Sequence, residues 1–214
     1  MIQIDDAGSG SLLGGTCIGV MRIGTREYIY DIIPLELYGC ENFKNKKYLD
    51  WVVDMVRTSL SALNTDKSEK IYVCRGYMFD RLKKWLKDES YNFESVGIQD
   101  PLQTIIENTF ENYAVSLGLP KRYISYTKYP FHFHRLLKWV YADHEARKHL
   151  CKQGWASWQK YGNLERKIYT GTAKTSNYFC LKCGGEILQG SPVSVVQFVT
   201  NRLNKVFLHE CCPD

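Results

Sequence analysis

The sequence predicts an α+β protein with a mixed sheet in the order β-β-β-α-β-α-β-α, followed by a small separate C-terminal module. Three observations lead there. Strand-like segments come three in a row before any helical periodicity begins. After residue 48, apolar stripes of helical spacing alternate with short apolar runs. Four of the eight cysteines crowd into the last 35 residues. A length of 214 residues is ample for one domain with an appendage, and 44% hydrophobic with 24% charged side chains is globular in composition.

"MIQID" alternates apolar and polar positions and reads as the first strand. "GGTCIGVMRIG" and "REYIYDIIPLEL" are rich in β-branched and aromatic residues and are parted by Gly24-Thr25, so they continue a meander. After a loop, "YGCENFKNKK", Leu49, Val52, Val53, Val56, Leu60 and Leu63 recur at helical spacing between Tyr48 and Leu63. "EKIYVCRG" fits a buried strand, "MFDRLKKWLKDE" a charged helix with Leu82, Trp85 and Leu86 on one face, and "YNFESVGI" a further strand. In "DPLQTIIENTFENYAVSLGLP", Asp100 is a good N-cap, Pro101 suits the first helical position and Gly118 marks the stop. A basic aromatic loop, Lys121 to Phe133, leads into a last helix, "RLLKWVYADHEARKHLCKQ". "YGNLERKIYTGTAKTSN" is a linker on composition. Consecutive strands imply antiparallel hairpins and the later crossovers imply parallel pairing, hence a mixed sheet.

That order, together with "IDDAGSGSLLGG", resembles the ribonuclease H-like superfamily. The stretch is similar to the first-strand motif of the type 2 ribonucleases H, Asp-Glu-Ala-Gly-Arg-Gly, with Asp6 in place of glutamate and Ser9 in place of arginine. The resemblance implies carboxylates from several elements holding divalent ions, Mg²⁺ or Mn²⁺, for phosphodiester hydrolysis. Period-two alternation turns the two acids to opposite faces, so one of them is central; the resemblance implies that it is Asp5, with Asp6 as its neighbour near the glycine turn. The second acid belongs at the end of the fourth strand, where this chain reads Cys74-Arg75-Gly76. A guanidinium there cannot ligate a metal. Asp143 and Glu145 in the last helix resemble the acids of the Holliday-junction resolvases of that superfamily, and Glu107 with Glu111 are an alternative source. The glycine-rich stretch does not fit a phosphate-cradling loop, since no lysine follows and a strand rather than a helix comes next. Its glycines serve a tight turn and close packing.

Charge is unevenly placed. Residues 1–120 carry 13 basic and 17 acidic side chains, residues 121–169 carry 11 and 3, and the rest is near neutral. Eleven aromatic side chains are interleaved with the basic ones of the middle segment. Lysine and arginine neutralise phosphates while aromatic faces stack on unpaired bases, so the segment points to a nucleic-acid partner, with Lys121, Arg122, Lys128, Arg135 and Lys138 as contacts. His132 and His134 in "FHFH" have a structural or phosphate-contact role.

Cys180-x-x-Cys183-Gly184-Gly185 followed by His209-x-x-Cys212 offers four ligands for structural zinc, with Cys211 as an alternative fourth. The tail resembles zinc-ribbon or treble-clef-like modules. Zinc would stabilise a segment too small to keep a core alone. The expected domains are a ribonuclease H-like domain at 1–150, a basic extension and linker at 151–177, and the zinc module at 178–214. No apolar run approaches a membrane span and no secretory leader is visible, so the expectation is a cytoplasmic protein without a membrane partner. The expected function is metal-dependent nucleic-acid hydrolysis. The alternatives are a catalytically degenerate nucleic-acid-binding module, or an adaptor whose zinc module docks a protein.

Overall fold

The computed structural model describes residues 1–176 and 178–212. It divides into two compact units: residues 1–9 with 15–113, and residues 10–14 with 114–214.

The first unit is a five-stranded sheet of order β3-β2-β1-β4-β5. Its strands are β1 (Ile2–Ala7), β2 (Cys17–Arg22), β3 (Glu27–Ile32), β4 (Ile71–Cys74) and β5 (Phe93–Val96). The first three pair antiparallel and β1, β4 and β5 run parallel, as the order of elements demands. Helix α1 (Cys40–Lys44) occupies the stretch expected to be a loop. Helices α2 (Lys47–Ala62) and α3 (Asp80–Asp88) share one core with the sheet, built from Ile2, Ile4, Ile71 and Val73 against Val52, Val56, Leu82 and Leu86. The opposite face meets α4 (Leu102–Ser116). A side chain at Gly19 would press on Ile106 and Leu102 of α4, so this strand glycine is what lets the helix lie close. Asp100 accepts hydrogen bonds from the Thr104 backbone N–H and hydroxyl, closing the start of α4. Gly8 holds a left-handed φ of +84° directly beneath the Phe110 ring, where a Cβ would lie 2.2 Å from a ring carbon. The tight turn and close packing expected of the glycine-rich stretch are both present at that position.

The second unit contains α5 (Lys121–Tyr126), α6 (Phe133–Ala142), α7 (His144–Arg147) and α8 (Ala156–Tyr161). Its strands are β6 (Lys167–Thr172), β7 (Tyr178–Phe179), β8 (Glu186–Ile187), β9 (Pro192–Val199) and β10 (Leu203–His209). They form a three-stranded sheet of order β10-β9-β6 and the small β7-β8 ribbon. Three expectations are corrected here. The start of the basic aromatic loop is helical, as α5. The single last helix is broken at Asp143, whose backbone is extended at φ −154°. At the break Arg147 donates to the Trp139 carbonyl at 2.7 Å, satisfying an oxygen the ended helix leaves free, and its guanidinium lies 4.2 Å from the centre of the Trp139 ring. The supposed linker contributes β6, which pairs with β9 over its whole length.

The compact units therefore do not follow the expected 1–150, 151–177 and 178–214. Leu136, Trp139 and Val140 of α6 share one core with Val193, Val195, Val206 and Leu208 of β9 and β10, so the last helix and the cysteine-bearing tail fold as a single body. Ser11–Leu13 joins that body: Lys152 donates its backbone N–H to Leu12, Gly14 donates to Leu150, and Leu12 and Leu13 are fully buried. Asn177, Pro213 and Asp214, which the expected linker and module include, lie outside the described residues. Among the described residues, no helix is long and apolar enough to cross a membrane.

Candidate functional site

In the first unit, β1 is the central strand and the sheet alternation holds along most of it. Ile2 and Ile4 enter the core with α2 and α3, and Gln3 and Asp5 take the other side. At the end of the strand the two acids nevertheless converge. One carboxylate oxygen each of Asp5 and Asp6 and the Cys74 sulfur all lie within 4.8 Å of one another. The parallel register brings this about, because Ile4 pairs with Val73 and so sets the end of β4 beside the two acids. Asp5 also accepts the Asp6 backbone N–H at 2.9 Å. Their other surroundings still differ as the alternation expects, Asp5 near Glu107 of α4 and Asp6 near Tyr38 and Tyr77.

Asp5 is buried, and burial raises its carboxyl above the usual range. The Cys74 thiol and the Asp6 amide work against that rise, and Glu107 on α4 adds to it. No cation is among these influences, and Arg75 is exposed rather than turned in to neutralise the acid. Cys74 itself is pushed up to about 11, by burial first and then by Asp5 and Asp6, so the thiol stays protonated beside the carboxylates. Asp6 in turn raises the Tyr38 and Tyr77 phenols, a smaller contribution than their burial. A buried carboxylate with a second one beside it, influenced by an acid and by no base, suits a divalent cation.

Asp143 and Glu145 belong to the second unit and have local partners there. Asp143 pairs with Lys182 at 3.4 Å. Glu145 is held at about 2 by Lys148, His144 and Arg166. Glu107 is the residue whose place near Asp5 decided itself only in three dimensions; its face-sharing with Glu111 was the available signal.

The second candidate centre assembles all four expected ligands, Cys180, Cys183, His209 and Cys212, with their donor atoms within 4.8 Å of one another. The Cys180 and Cys212 sulfurs are 3.6 Å apart, and the Cys183 sulfur is 3.3 Å from His209 Nδ1. A tetrahedral zinc with usual bond lengths sets such sulfur–sulfur and sulfur–nitrogen edges at about 3.8 and about 3.6 Å. His209 Nε2 lies 3.0 Å from the Glu186 carbonyl, which fixes the ring and leaves Nδ1 turned to the cysteines. Burial works against ionising Cys180, but backbone N–H groups of Cys183, His209 and Lys182 outweigh it and pull the thiol down. Cys212 moves the other way, through burial and its two cysteine neighbours. Cys211 is exposed and outside the cluster. Arg147 donates to the Leu181 carbonyl at 3.0 Å and so ties the knuckle to α6.

The expected nucleic-acid contacts distribute over one unit. Lys121 and Arg122 stand on α5, Lys128 in the loop after it, and Arg135 and Lys138 on α6. Arg122 lies over the stacked Tyr126 and Phe179 rings, 5.8 and 5.4 Å from their centres. Lys128 lies 5.3 Å from the centre of the Tyr129 ring. Arg202 adds a cation to Arg135 and Lys138, a neighbour that its distant place in the chain concealed. The chain matches no model of a known protein family, and no curated protein matches it.

Proposed function

We propose that the chain is a ribonuclease H-like nucleic-acid-processing protein that hydrolyses phosphodiesters with divalent metal. The observation that carries the reading is the convergence of Asp5 and Asp6 at the end of the central strand of a β3-β2-β1-β4-β5 sheet. Asp5 and Asp6 would hold the cation, with Glu107 close enough to share its field. When bound, Mg²⁺ or Mn²⁺ supplies charge stabilisation and an activated water. The residues themselves do the holding: β1 and β4 fix the two carboxylates, and burial of Asp5 keeps bulk water from screening it. Asp143 and Glu145 are engaged within their own unit, with Lys182 and with Lys148 and Arg166, and this reading assigns them no part in holding the cation. The second unit carries the basic aromatic surface that would hold the strand, kept in shape by structural zinc on Cys180, Cys183, His209 and Cys212.

Cys74 favours a second reading. A protonated thiol stands where the superfamily pattern has an acid, which is what a binding module without turnover would tolerate. Cleavage of single-stranded, duplex, hybrid and branched nucleic acids in Mg²⁺ or Mn²⁺, with Asp5→Asn beside the parent, separates the two. The hydrolase reading expects cleavage that Asp5→Asn lowers by about a hundredfold or more. It further expects Cys74→Asp to raise Mg²⁺-supported cleavage by about tenfold, because Mg²⁺ takes oxygen donors. Binding without cleavage by the parent under every condition would overturn turnover and leave the binding module.

A further inference from the structure

A cavity of about 410 Å³ opens in the second unit, lined by His132, His134, Arg135, Lys138, Arg202 and Tyr129 among others. We propose that it binds the phosphate group at the end of a nucleic-acid strand, an inference that rests on the nucleic-acid reading above. Three cations converge there from α6 and from the turn between β9 and β10, and no carboxylate lines the cavity. Among the described residues none of the three has an acidic partner. Lys138 is held below its ordinary range, by burial and then by Arg202 and Arg135. Cations gathered without an acidic partner make a field that an anion would neutralise.

The backbone adds to the same field. The cavity adjoins the N-terminus of α6, where His132 is the N-cap and forms no side-chain capping bond. The Arg135 and Leu136 N–H groups donate to the His132 carbonyl, and the positive end of this ten-residue helix lies at the two histidines that line the cavity. The His132 and His134 rings are 5.9 Å apart, close enough to donate to one phosphate.

Charge selects the terminus, in a cavity whose volume suits about one nucleotide unit. A terminal monoester carries about 1.5 to 2 negative charges at neutral pH, against one for an internal diester, and so matches three cations better. Tyr129 stands at the rim, 70% exposed and in a left-handed backbone with φ +57°, an uncommon conformation for a bulky side chain. Lys128 lies 5.3 Å from its ring centre, and the exposed remainder of the ring offers a surface on which the base attached to that phosphate can stack.

The test is fluorescence anisotropy on the zinc-replete full chain carrying Asp5→Asn, without added Mg²⁺ or Mn²⁺, so that cleavage is suppressed. Oligonucleotides of one sequence bear a 5′-phosphate, a 3′-phosphate or hydroxyl ends, and a nucleoside monophosphate serves as competitor. The expected result is about tenfold tighter binding of one phosphate-ended form over the hydroxyl form. Arg202→Gln and Lys138→Gln should each remove that preference, while Lys205→Gln, on exposed β10 surface, keeps it. Thermal melting and zinc content confirm that each variant is folded. Equal affinity for all ends, or a preference untouched by both substitutions, would overturn the inference and leave the nucleic-acid reading standing. Absence of binding to any oligonucleotide would overturn both. Competition by the monophosphate at equal affinity would replace the strand end by a small phosphate ligand.

Discussion

Glu69 accepts from Arg22 in two-pronged fashion, Nε at 3.2 Å and Nη2 at 2.8 Å, and from the Met1 amine at 2.8 Å. The Arg22 hydrogen bonds first, and the amine second, hold its carboxyl at about 2 against an ordinary 4.5. A depressed carboxylate stabilises the fold above its unfolded value, and that contribution is lost as pH falls through the folded one. The parent should therefore lose stability relative to Glu69→Gln between pH 4.5 and about 2, in urea melts across that window. A pH-independent difference between the two would show that the ion pair contributes nothing there. The zinc ligands make a second residue-scale case. Metal analysis should find one zinc per chain, near zero in Cys180→Ser and unchanged in Cys211→Ser, because only Cys212 reaches the cluster. The four ligands were legible in the sequence, since soft donors at such spacing have few other uses outside disulfides. Cys74 was not legible as a neighbour of both acids, because its role depends on where β1 pairs with β4.

At the scale of elements, the junction of β1, the glycine turn and α4 is the tightest point of the first unit. Gly8→Ala combines a left-handed backbone with a Cβ that would penetrate the Phe110 ring. The expected loss is about 2 to 4 kcal/mol, from about 1 to 2 for the backbone and the remainder for overpacking. Chemical denaturation measures it, and Gly10→Ala, with open space around its Cβ, serves as the control that should change little. Alternation located β1 and helical spacing located α2, α3 and α4, whereas β2, β3 and β4 were legible from β-branched, aromatic and apolar composition. The break at Asp143 was invisible to periodicity. The extended backbone of Asp143 ends the helix, and Arg147 takes up the Trp139 carbonyl that the break frees.

For the whole molecule, the second unit has one core that runs from Leu12 and Leu13 through α6 to the sheet of β9 and β10, with buried Cys180 among its members. Zinc should therefore support far more than the tail. Removing it with a strong chelator, or by Cys183→Ser, should expose tryptophan to solvent, because Trp139 and Trp158 lie in that core. Tryptophan emission and far-ultraviolet circular dichroism follow this, and an emission unchanged on complete zinc removal would show that the core stands without metal. The sequence by itself determined the order of the five strands and of α2, α3 and α4 in the first unit, and the four residues of the candidate metal cluster. Both are local: a buried face repeats every two or 3.6 residues, and paired ligands sit on a single turn. Tertiary structure alone decided that Asp5 and Asp6 close around Cys74, that residues 10–14 and β6 belong with the tail, and that Arg202 joins Arg135 and Lys138. Each of these joins positions far apart in the chain, and what brings them together is strand pairing and core packing, which no local pattern records.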